Sequence, residues 1–72
     1  MSLDPMYLRG TEIEVGDILC RKDGNRMIEL FTVTEIATSP SPHGTYRHLR
    51  GDGHDMSFGP QSADERMWVL RA

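Results

Sequence analysis

Four residues within an eight-residue stretch, His48, Asp52, His54 and Asp55, carry imidazole and carboxylate groups of the kind that ligate zinc or another divalent ion. A tight hairpin at Gly51-Asp52-Gly53 would bring the two arms together, with His48, His54 and Asp55 as the ligands. Their spacing matches no zinc signature, and Asp and His beside Gly are ordinary turn residues. No cofactor or metal is therefore expected, and the His48, His54, Asp55 set stands as the alternative. Cys20 is the single cysteine. A nucleophilic thiolate would need a base or a positive charge beside it. Nothing places His43, His48 or His54 near Cys20, so a small buried hydrophobe is the plain reading.

The basic side chains give the remaining signal. Seven of the eight are Arg and only Lys22 is Lys, a bias expected of a GC-rich coding sequence. Arg21, Lys22 and Arg26 flank one turn signal, while Arg47 and Arg50 lie beside Tyr46 in a later segment. If those two hairpins share a side, Arg21, Lys22, Arg26, Tyr46, Arg47 and Arg50 form a basic patch with one aromatic ring for base stacking. The opposing reading is a solvated surface. The same segments carry Asp23, Asp52 and Asp55, and the chain has 11 acidic residues against 8 basic, a net charge of −3. Such a balance supplies no global field that would gather a polyanion. No Gly-rich phosphate loop, paired catalytic carboxylates or nucleophile–base arrangement is visible, so no enzyme is expected.

The elements that must position these residues are strands. Asp17 to Lys22 carries an apolar centre and ends at Asp23-Gly24-Asn25, a tight-turn signal. Met27 to Thr38 is rich in β-branched and aromatic residues and predicts one long strand. Its alternation breaks, since Ile28 and Leu30 sit in one phase and Phe31 and Val33 in the other; two half-buried faces or a bulge near Leu30 and Phe31 would account for that. Ser39-Pro40-Ser41-Pro42-His43-Gly44 predicts a loop, because proline cannot donate to a ladder. Thr45 to Arg50, the turn Gly51-Asp52-Gly53 and Asp55 to Phe58 predict a second hairpin. A single helical turn capped by Ser62 and a last strand from Met67 to Arg71 complete the order. Trp68, Phe31 and Phe58 are expected in the core, and Met6, Tyr7 and Leu8 along an edge or against a partner.

That order, together with the lead-in Glu14-Val15-Gly16-Asp17-Ile18, resembles an SH3-like small β-barrel of five strands with a short 3₁₀ turn before the last. The resemblance covers Glu14 to Arg71 and rests on element order; an OB-like or open five-stranded sheet is the alternative. The acidic-aromatic loop, tryptophan pair and Pro-Tyr element of peptide-binding SH3 domains are absent, so recognition of proline-rich peptides is not implied.

At 72 residues there is room for one small domain. Met1-Ser2-Leu3-Asp4-Pro5 reads as an expression leader ahead of Met6, leaving a single domain over residues 6–72. One cysteine rules out a disulfide scaffold, no apolar run reaches membrane-spanning length, and a cytoplasmic location is the simplest expectation. The function expected is a non-enzymatic interaction module, of the phage or bacterial accessory kind, binding another protein or a second copy of itself through an edge strand or the Arg-rich hairpins. The alternative is a nucleic-acid-binding accessory protein using the Arg-rich face, and no membrane partner is expected.

Overall fold

The computed structural model describes residues 4–62 and 64–71. Among them the chain forms seven strands and two 3₁₀ turns: β1 (Pro5–Arg9), a turn at Gly10–Glu12, β2 (Ile18–Asp23), β3 (Arg26–Thr32), β4 (Glu35–Ser41), β5 (Gly44–Gly51), β6 (His54–Phe58), a turn at Pro60–Ser62, and β7 (Arg66–Leu70). All pairings are antiparallel and fall into two sheets, β1-β7-β2-β3 and β4-β5-β6. The fold is all-β, as expected. Among the described residues no ladder joins the two sheets into a closed cylinder.

Two turns make the hairpins. Gly24 is at φ 63°, the first central position of a type II′ turn between β2 and β3, and Asp52 and Gly53 at φ 50° and 79° fit a type I′ turn between β5 and β6. Both twist with the strands they join.

Three elements differ from expectation. The stretch from Met27 to Thr38 is two strands, because consecutive amides point to different sheets. Val33 N–H donates to the Asp17 carbonyl at 2.8 Å, on the β2 side, and Thr34 N–H donates to the Arg50 carbonyl at 2.8 Å, on the β5 side. The chain crosses between sheets at that pair. Gly51 packs its backbone against the Thr32 carbonyl there, and a side chain at Gly51 would occupy the position of that oxygen. Second, Ser39, Pro40 and Ser41 belong to β4, with Pro40 opposite Thr45. β4 is at the edge of its sheet, where a missing amide donor costs no ladder bond. The loop shrinks to Pro42 and His43, closed by Ser41 Oγ donating to the Gly44 carbonyl at 2.7 Å. Third, Pro5–Arg9 forms β1, paired along its length with β7.

Of the two explanations for the broken alternation near Leu30, the register shift of a bulge is present. Leu19 pairs with Phe31 and Cys20 with Glu29, leaving Leu30 without a cross-strand partner. The 3₁₀ turn ends at Ser62 rather than starting there. Ser62 Oγ accepts from the Gly59 amide at 2.8 Å, upstream rather than downstream, and Ala63 in the expected helical turn lies outside the described residues.

Leu19, Phe31 and Val69 of one sheet meet Leu49 and Phe58 of the other, with Ile13 and Val33 closing the ends. Each such buried side chain contributes about 1.5–3 kcal/mol relative to exposure. A clasp holds the entry to β2. Buried Asp17 takes a two-pronged bond from Arg71, Nε to Oδ1 and Nη2 to Oδ2, both at 2.8 Å, and a third from the Glu14 amide at 2.8 Å. The Arg71 hydrogen bonds hold the Asp17 carboxyl below the usual range, against a burial effect that would raise it.

Candidate binding cleft

β2 and β7 pair at only three positions, Ile18 with Leu70, Leu19 with Val69 and Cys20 with Trp68. Beyond Cys20 the two strands part while each keeps its other neighbour. β7 stays with β1 as far as Arg66–Arg9, and β2 stays with β3 as far as Asp23–Arg26. Two ribbons therefore diverge from the Cys20–Trp68 pair, and the space between them is a cleft of about 420 Å³.

Strand alternation decides what each ribbon presents there. Tyr7 is opposite Trp68 in the ladder, and their rings lie 4.8 Å apart at 36°, a tilted pair forming one wall. Lys22 Nζ sits 5.2 Å from the Trp68 ring centroid, within cation–π range. Arg21 and Arg66 join Lys22 in the lining, and Arg66 Nη1 is steadied by donating to the Tyr7 carbonyl at 3.2 Å. Leu30, freed by the bulge, lines the cleft with Met67 of β7 and Met56, which reaches in from β6 of the second sheet. Cys20 lies buried at the fork, its thiol 3.5 Å from the Ile18 carbonyl. Burial, reinforced by the nearby Glu29 charge, pushes the Cys20 thiol up, so it stays protonated near neutrality and is a packing group.

Among the described residues the lining holds three cations and no carboxylate, in a chain whose net charge is −3. No family model matches the chain, and neither a curated protein nor a solved structure matches it significantly. Function must be read from the cleft itself.

The sequence-derived basic set does not assemble in one place. Arg21 and Lys22 line the cleft, but Arg26 is exposed at the far end of the β2–β3 hairpin, opposite Asp23. On β5, Arg47 turns toward the sheet interface and donates through Nη2 to the Ile13 carbonyl, with its Nε buried and without a hydrogen-bond partner among the described residues. Tyr46 and Arg50 alternate to the opposite face. The Tyr46 ring lies over the Gly59 backbone, and Arg50 is paired with Asp55 at 3.1 Å and Glu35 at 3.8 Å.

The metal alternative is divided in the same way. His48 and Asp55 share the outer face of the second sheet, whereas His54 stacks on core residue Phe31, 5.2 Å between centroids. No group of three His, Cys, Asp or Glu side chains suited to a metal ion occurs among the described residues. His48, Ser57 and Asp55 have the composition of a hydrolase triad but not its wiring. Ser57 Oγ at 2.8 Å and Asp55 Oδ1 at 4.0 Å both approach His48 Nδ1, so no proton can pass from one through the ring to the other.

Trp68, expected in the core, is half-buried on the cleft wall; Phe31 and Phe58 are buried as expected. Tyr7, Arg66, Met56 and Met67 escaped the sequence reading as site residues. The broken alternation at Leu30 was a local sign of the cleft, whereas the rest depends on β7 lying between β1 and β2.

Proposed function

We propose that the chain is a small non-enzymatic interaction module that binds a protein partner through the cleft between the β1–β7 and β2–β3 ribbons. The observation that carries this is the lining: an aromatic pair, apolar side chains and three cations with no carboxylate, at the surface of an otherwise acidic molecule. Aromatic and Arg side chains are the types that dominate binding hot spots. The element order from β2 to β7 remains akin to an SH3-like small barrel: a first hairpin, a crossing from β3 of one sheet to β4 of the other, a second hairpin, a 3₁₀ turn and a last strand beside the first. We place the module in the cytoplasm on its single unpaired cysteine.

The nucleic-acid reading draws less support. Its Arg set is spread over three places, and Trp68, the largest ring, has Tyr7 and Lys22 against it where a base would need a free face. The test is affinity capture from a lysate of the source organism, with and without nuclease, using the wild-type chain and the double variant Arg21→Glu, Lys22→Glu. A nuclease-resistant protein that the wild type captures and the variant does not is the expected outcome. Capture that survives the double substitution, or that disappears with nuclease, removes the reading.

A further inference from the structure

We infer that the occupant of the cleft is an acidic, extended polypeptide segment that pairs its backbone with the free side of β2 and alternates carboxylate with apolar side chains. The inference rests on the protein-binding reading above and adds the chemistry of the ligand.

Three observations converge on it. First, Arg21, Lys22 and Asp23 are paired with β3 on one side, while on the β7 side the β2 ladder stops at Cys20. The backbone groups of this stretch that point into the cleft match those of another extended chain, and strand addition is the recognition mode that uses them. A nucleotide or an isolated small anion has no such repeating donor and acceptor pattern.

Second, the charges are one-sided. Among the described residues Arg21, Lys22 and Arg66 line the cleft without a carboxylate, so a segment bearing Asp or Glu is complementary and a basic one is repelled.

Third, the two faces of the cleft differ. Lys22 and Arg66 alternate to the face that carries Trp68, while Arg21 and Met67 alternate to the face of core residue Val69, where Met56 arrives from the second sheet. An added strand sends successive side chains to opposite faces. Its carboxylates then meet Lys22 and Arg66 as its apolar side chains meet Met56 and Met67. Thioethers suit this role, because flexible Met side chains adapt to varied apolar partners.

The probe is a fluorescein-labelled ten-residue peptide of alternating Glu and Val, followed by anisotropy at low salt. The chain's single tryptophan, Trp68, gives a second readout through its own emission. Saturable binding with a change in Trp68 emission is expected, weakened about tenfold or more by Arg21→Glu, Lys22→Glu. Lys in place of Glu in the peptide should abolish binding. Methylation of alternate peptide amides, which leaves charge and side chains intact, should weaken it about tenfold, and the effect should appear in only one of the two methylation phases. Thermal melts establish that the variants fold.

Equal binding of both methylated peptides and the parent would overturn strand pairing. Tighter binding of a single-stranded oligonucleotide than of the peptide, or a self-dimer dissolved by the same substitutions, would overturn the proposed occupant. If lysate capture depends on Arg21 and Lys22 while the peptide fails to bind, the ligand chemistry is overturned and the module reading stands; if capture is also insensitive to them, both fall.

Discussion

At the scale of single residues, the buried Asp17 carboxylate has a sharply defined role. Its only side-chain cation partner among the described residues is Arg71, whose guanidinium is raised above its usual value and stays charged at every workable pH. Because Asp17 is held below the usual carboxylate range when folded, its stabilisation is complete above the unfolded value near ~3.9 and is lost as pH falls through the lower folded value. Urea unfolding of the wild type should therefore show a stability loss setting in below about pH 4. Arg71→Met should lower the denaturant midpoint at pH 7, because it leaves the buried Asp17 carboxylate without its cation, and should shrink that acid-side loss. Gly51→Ala places a methyl on the Thr32 carbonyl and should cost about 3 kcal/mol, read as a lowered denaturant midpoint. Cys20 was legible in the sequence, since its neighbours and isolation already marked it as packing. The Asp17 clasp was not, because Arg71 lies 54 residues away and no local pattern joins them.

At the scale of elements, hairpins and the bulge were legible because their causes are local. Asp23-Gly24-Asn25 and Gly51-Asp52-Gly53 dictate turns by backbone freedom alone, and the phase slip at Leu30 is visible between Ile28 and Val33. β1 was not legible, since Pro5–Arg9 has no strand signal of its own and is held by pairing with β7. Tyr7→Ala should loosen β1 by about 1 kcal/mol through loss of the ring pair. It should also shift Trp68 emission to the red, a change that a loss elsewhere on the surface would not produce. Pro40 misled the loop assignment because an edge strand tolerates what a central strand does not. A proline on an exposed edge also blocks pairing with another molecule. Pro40→Val should increase concentration-dependent self-association in sedimentation velocity while leaving the fold intact.

At the scale of the whole molecule, the accessible surface is 4,965 Å², above the roughly 4,500 Å² expected of a compact chain of this mass. The extents, 42 × 22 × 17 Å, account for the excess: two thin sheets and a long hairpin bury less than a sphere would. The charge arrangement adds a measurable property. Because the cleft cations are exposed, affinity for the acidic probe peptide should fall several-fold between 50 and 300 mM salt, mainly through a slower on-rate in stopped flow. Fold class was legible at this scale from the strand-forming segments and the turn signals between them. The cleft was legible only in part, because Arg21 and Lys22 are named by sequence but gain Tyr7, Arg66 and Trp68 as neighbours through strand order.

That strand order also sets a schedule. β7, made from residues 66–70, is an interior strand of its sheet, flanked by β1 from residues 5–9 and β2 from residues 18–23. During synthesis β1 has no ladder partner until β7 emerges, whereas the β2–β3 hairpin and the β4-β5-β6 sheet can pair as soon as they leave the ribosome. Such long-range pairing is slow to close. Until it does, the nascent chain displays the whole β7-facing side of β2, of which the finished molecule keeps open only the stretch beyond Cys20.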